Sequence, residues 1–154
     1  MNRLTALLPI VPFLALALWF GTRSRVFFGA FLIGHALVHA MYFVPEPPAH
    51  QTSLEWPFHL DRSWLLSGYG ISVQAIRLIG GVLAVVAVVG FVGAGIGLFA
   101  NAGWWAPAGV VSAVASLLLL GAYLQPLLAL GLIINIVVLS VVLFGWPELG
   151  YLNQ

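Results

Sequence analysis

Two histidines, His35 and His39, stand four residues apart inside an apolar run from Val26 to Val44. On a helix this spacing stacks both imidazoles on one face, about 6 Å apart, so a single metal ion could take both. If the helix ends near Val44, a rise of 1.5 Å per residue puts His39 about 7 Å and His35 about 13 Å below the end of the run. Ionisable groups that deep in hydrocarbon are rare and mark a functional site by default. Further donors follow at once, because Glu46, His50, Glu55, His59 and Asp61 all lie in the next segment. If that segment folds back over the helix end, His59 and Asp61 are the donors expected to approach, giving a candidate metal set of His35, His39, His59 and Asp61. Neutral imidazole serves zinc, copper and iron alike, and a catalytic zinc would need about three protein ligands plus water. Haem fits this pattern less well, since two histidines at this spacing on one helix cannot both be axial ligands of one porphyrin. The plainer alternative is structural: each imidazole bonds a carbonyl or hydroxyl of a neighbouring helix and acts as glue worth about 1 kcal/mol.

The elements that position these residues follow from composition. Of 154 residues, 62% are hydrophobic and 6% are charged, with a mean hydropathy of +1.11. A water-soluble domain carries about 25% charged residues, so the chain belongs in a bilayer. Each crossing needs about 20 apolar residues. Apolar blocks at 4–20, 26–44, 73–100, 104–124 and 127–144 predict an all-α, polytopic bundle of five transmembrane helices in one domain. The polar turn from Gly21 to Arg25 ends the first block, Pro45, Pro47 and Pro48 end the second, and Asn101 to Gly103 end the third. Gln125 and Pro126 separate the last two. A signal peptide is the competing reading of the first block, but no small-residue cleavage site follows Trp19 and Phe20.

Residues 45–70 hold three of the four acids together with Trp56, Phe58 and Trp64, a mixture suited to the headgroup layer. Asp61 is placed there as the N-cap of a short helix closed by Gly68. The basic pair Arg23 and Arg25 favours a cytoplasmic first loop, with the N-terminus outside and the C-terminus inside, although Arg3, Arg62 and Arg77 then fall on the outer side. The expected location is the bacterial inner membrane.

Several chemistries are excluded. With no cysteine there are no disulfides, thiolate nucleophiles or iron–sulfur clusters, and with no lysine there is no Schiff base and no phosphate-binding loop. Five scattered arginines and a net charge of +1 give no footprint for nucleic acid. The last three blocks contain no Asp, Glu or His, which argues against ion pumping through that half. They do carry close-packing features: Gly93 and Gly97 as G-x-x-x-G, a stripe of Ala108, Ser112 and Ser116, and a notch at Gly131 beside the polar Asn135. Packing within the bundle is favoured over a dimer face for these, and Asn135 is expected to bond another helix.

His-x-x-x-His is similar to the first histidine box of the membrane fatty-acid desaturases and hydroxylases, but four histidines in the chain are too few for the further boxes that hold two irons. Six tryptophans in a five-span chain are similar in number to the tryptophan-rich sensory proteins, yet the Trp and Pro positions do not follow that family's motifs. The stretch Gly34-His35 to Pro45, followed by Glu55-Trp56-Pro57-Phe58-His59-Leu60-Asp61-Arg62-Ser63-Trp64-Leu65-Leu66, resembles small bacterial multi-pass membrane proteins. That resemblance implies no activity, only that the second helix and the loop after it work together. The expected function is a non-catalytic accessory or assembly subunit with no catalytic residue, a lipid-embedded homo- or hetero-oligomer. A metal- or haem-binding oxidoreductase or hydrolase built on the histidine pair is the alternative.

Overall fold

The computed structural model describes residues 24–48 and 56–144. Among these residues every regular element is helical: α1 (Arg25–Ala40), α2 (Trp64–Ser67), α3 (Val73–Phe99), α4 (Trp105–Ala122) and α5 (Ala129–Phe144). A 3-10 turn at Met41–Phe43 extends α1 to the prolines, and another at Pro126–Leu128 leads into α5. With those turns included, four helices are long and apolar enough to cross a membrane. Their bounds follow the expected blocks at 26–44, 73–100, 104–124 and 127–144 to within a few residues. The fifth expected span, 4–20, lies outside the described residues.

The packing shows which solvent the chain is built for. Val82, Val89, Leu118, Ile133 and Ile136 are each more than half exposed on the outer surface, while Phe91, Leu98, Leu119 and Val138 fill the interior. A bundle apolar on both sides would aggregate in water and is stable in lipid. The protein is therefore a membrane-embedded helical bundle.

In the order of contacts, α3 lies between α1 and α4, and α4 also packs on α5. Small residues set how close the helices come. A Cβ on Gly95 would sit 2.6 Å from the Gly29 carbonyl oxygen, so α1 and α3 touch backbone to backbone there. A Cβ on Gly90 would meet the Ser112 Cβ at 2.7 Å, which brings α3 equally close to α4. Of the G-x-x-x-G pair, Gly97 seats the backbone and Cβ of Trp105, whereas Gly93 has only the Trp104 ring, 3.8 Å away. Gly131 receives the Leu120 side chain at 2.8 Å. These notches work inside the chain.

The loop before α3 folds over one end of the bundle. The Ser63 hydroxyl accepts from the Leu66 amide and donates to the Ala122 carbonyl at 2.6 Å, and the Trp64 indole donates to the Gly121 carbonyl at 2.8 Å. The N-cap of α2 is thus Ser63 rather than Asp61, with Gly68 as C-cap. Asp61 instead faces Arg77 at 3.8 Å. The physical reason is that Ser63 satisfies a helix amide and an orphaned carbonyl at the end of α4 together, while a carboxylate could only accept. At the opposite end, the Arg25 guanidinium donates to the Asn101 side chain, tying the start of α1 to the α3–α4 turn.

Candidate functional site

The face of α1 that carries His35 and His39 turns inward, leaving them 6% and 2% exposed. The helix spacing brings their rings to 4.8 Å between centroids, as the i, i+4 relation requires. Phe91 of α3 stands edge-on to both, at 4.9 Å from His35 and 5.9 Å from His39, and Phe31 stacks on His35 at 6.1 Å. The pair is enclosed by aromatic rings on two sides.

The hydrogen bonds of His39 assign the tautomer of its neutral ring. Its Nδ1 lies 3.2 Å from the His35 carbonyl oxygen, which can only accept, so Nδ1 carries the proton. In a neutral ring Nε2 is then an acceptor, and it meets the Ser116 hydroxyl at 2.5 Å. Ser116 donates its single proton there and accepts from Asn135 Nδ2 at 2.7 Å. The same amide nitrogen donates to the Gly131 carbonyl at 2.6 Å, which fixes which end of the Asn135 amide is nitrogen. Every direction along Asn135, Ser116, His39 and the His35 carbonyl is therefore consistent, and the chain of bonds joins α5, α4 and α1. Ser116 and Asn135 are both fully buried.

Three buried atoms near this network have no hydrogen-bond partner: His35 Nε2, Asn135 Oδ1 and the Tyr42 hydroxyl. Asn135 lies beside His35, so two of the three belong to neighbouring side chains. His35, His39 and Tyr42 also line a cavity of about 170 Å³ between α1, α4 and α5, with Phe58, Leu128 and Ile134 among its other walls. That volume is below the roughly 300–1,000 Å³ of sites for drug-sized molecules. It is too small for a porphyrin.

No protein family, no curated protein and no solved structure matches this sequence. What the site can do rests on its own geometry.

The loop does return over the end of α1, with Phe58 edge-on to Tyr42 at 5.3 Å and Trp56 against Phe58 at 5.2 Å. Among the described residues it does not carry His59 or Asp61 to the histidine pair. His59 Nδ1 lies 4.0 Å from Asp61, and both line a separate recess with Tyr42, Glu46 and Arg77. Among the described residues no three His, Asp or Glu side chains come together to hold a metal ion. His50 and Glu55 lie outside the described residues. Of the packing residues, Ser112 returns its hydroxyl to the Ala108 carbonyl at 2.8 Å, and Ala108 borders the main core. Ser116 does more than the small-residue stripe predicts, because its hydroxyl is the junction between His39 and Asn135. The signal for that role was present in two separate places, an intramembrane histidine and an intramembrane asparagine, each needing a partner.

Proposed function

We propose that this protein is a non-catalytic integral membrane component, an accessory or assembly subunit of a membrane complex, whose buried histidines hold three helices in register. The observation that carries this reading is that both ring nitrogens of His39 are engaged inside the bundle, leaving no lone pair for a metal or a substrate proton. In this reading residues 4–20 add a fifth span, and residues 45–70 lie in the headgroup layer of the bacterial inner membrane. The Asp61–Arg77 pair and the indoles of Trp56 and Trp64 at one end of the bundle support that placement. The Arg23 and Arg25 loop then faces the cytoplasm. Partner docking uses lipid-facing surfaces, since Gly97, Ser112, Ser116 and Gly131 are occupied within the chain. Solubilised from native membranes in a mild detergent, the protein is expected to migrate in a native gel as an assembly well above its 16.5 kDa. Migration as a monomer with nothing bound would overturn the subunit reading.

A second reading is favoured by one observation, the unpartnered Nε2 of His35. It makes His35 the ligand of a small metal centre, with His39 released from Ser116 as the second donor. Elemental analysis of the wild type beside His35→Ala separates the two. Only substoichiometric metal, the same in both, is the expected result, and stoichiometric zinc, copper or iron lost in the variant would establish the metal reading.

A further inference from the structure

A long apolar groove runs down the outer face of α3, with a volume of about 680 Å³, lined by Phe43, Leu78, Val82, Val85 and Val86. Its upper end contains Arg77 and Gln74. From Arg77 to Val86 the helix rises about 13 Å at 1.5 Å per residue, close to the roughly 15 Å of hydrocarbon in one leaflet. The groove therefore has the length of a lipid chain and a cation where the chain meets its headgroup.

The charges above it narrow the headgroup. Phe43, Leu60 and Arg77 also belong to the adjoining recess of about 490 Å³, which opens between Glu46, Trp56, His59 and Asp61. Groove and recess are thus one continuous surface. Arg77 is 65% exposed and can offer its guanidinium to a phosphate, since its contact with Asp61 is a loose 3.8 Å. Glu46 and Asp61 line the same recess as that arginine, with Asp61 3.8 Å from it. A lipid that is only anionic would bring its charge toward both acids. A lipid whose phosphate is followed by an ammonium places negative charge on Arg77 and positive charge on the acids.

We propose that this surface binds an aminophospholipid, with phosphate on Arg77, ammonium between Glu46 and Asp61, and one acyl chain in the α3 groove. Trp56 sits at the rim, at the level where indoles anchor in a bilayer. The test is native mass spectrometry of the full chain in mild detergent with equal amounts of phosphatidylethanolamine and phosphatidylglycerol. The wild type is expected to retain phosphatidylethanolamine preferentially. Arg77→Gln lowers that retention about fivefold, the equivalent of about 1 kcal/mol for one arginine at the membrane surface. Glu46→Gln with Asp61→Asn removes the preference while leaving phosphatidylglycerol bound. Equal retention of the two lipids by the wild type, a preference for phosphatidylglycerol, or indifference to Arg77→Gln would overturn the proposal. So would quantitative cross-linking of Val82→Cys to Ala15→Cys, which would make the first span the occupant of the groove.

Discussion

Gly95→Val is expected to separate α1 from α3 and to cost about 3 kcal/mol or more, enough to leave much of the protein unfolded in detergent. Overpacking a core usually costs about 1–3 kcal/mol because side chains can shift to other rotamers. Here the nearest atom to a new Cβ is a backbone oxygen, that of Gly29, at 2.6 Å, with Ile33 at 2.7 Å behind it. A carbonyl in a helix cannot rotate away, so the two helices must move apart and lose contact along the crossing. Without water between helices, close packing of backbones is a large part of what holds them together. Gly93→Val is the control, since its nearest neighbour is the Trp104 ring at 3.8 Å. Denaturation by dodecyl sulfate in mixed micelles should show Gly93→Val close to wild type and Gly95→Val largely unfolded. Equal damage from both would mean that the crossing is not at Gly29 and Gly95.

His39→Ala is expected to cost about 2–4 kcal/mol, by two separate routes. Removing a buried ring leaves a cavity among Phe91, His35 and Ser116, and large-to-small replacements of this kind fall in that range. The lost hydrogen bonds add less, because polar pairs in membranes average well under 2 kcal/mol each. A double-mutant cycle separates the routes. His39→Ala and Ser116→Ala should couple by about 1 kcal/mol, the size of the bond they share, while His39→Ala with Ser63→Ala should be additive because Ser63 bonds the Ala122 carbonyl and shares no hydrogen-bond partner with His39. No coupling between His39 and Ser116 would remove the shared bond from the account.

Much of this architecture is legible in the sequence. Four spans were legible because apolar runs of membrane length are punctuated by Pro45, Asn101 and Pro126, which lack a helix amide or favour turns. That both imidazoles share one helix face was legible from spacing, whereas the inward turn of that face is set by packing on α3 and α4. The cap of α2 was not, since Asp61 and Ser63 are both good N-caps and the choice depended on a free carbonyl of Ala122, distant in sequence. Nor was the crossing glycine. The G-x-x-x-G pattern points to Gly93 and Gly97, but sequence gives the faces of one helix and not the angle at which a neighbour meets it. Gly95 pairs with Gly29 across that unknown angle. The same limit hid the His39–Ser116–Asn135 chain, whose members lie 77 and 19 residues apart. The approach of His59 and Asp61 to the histidine pair was expected if the loop folded back. The loop does fold back, but its aromatic residues reach the end of α1 while Asp61 stays at the exposed rim opposite Arg77, with His59 beside it.

His39 is a neutral ring held between the His35 carbonyl and the Ser116 hydroxyl. Nitrogen-15 spectra of the histidine side chains, recorded on lipid-reconstituted protein with and without added zinc, test it directly. A protonated Nδ1 and an unprotonated Nε2 are expected for His39, unchanged by zinc and perturbed by Ser116→Ala. A proton on Nε2 would overturn that assignment, and a zinc-dependent shift of His39 Nε2 together with His35 would make the pair a metal ligand.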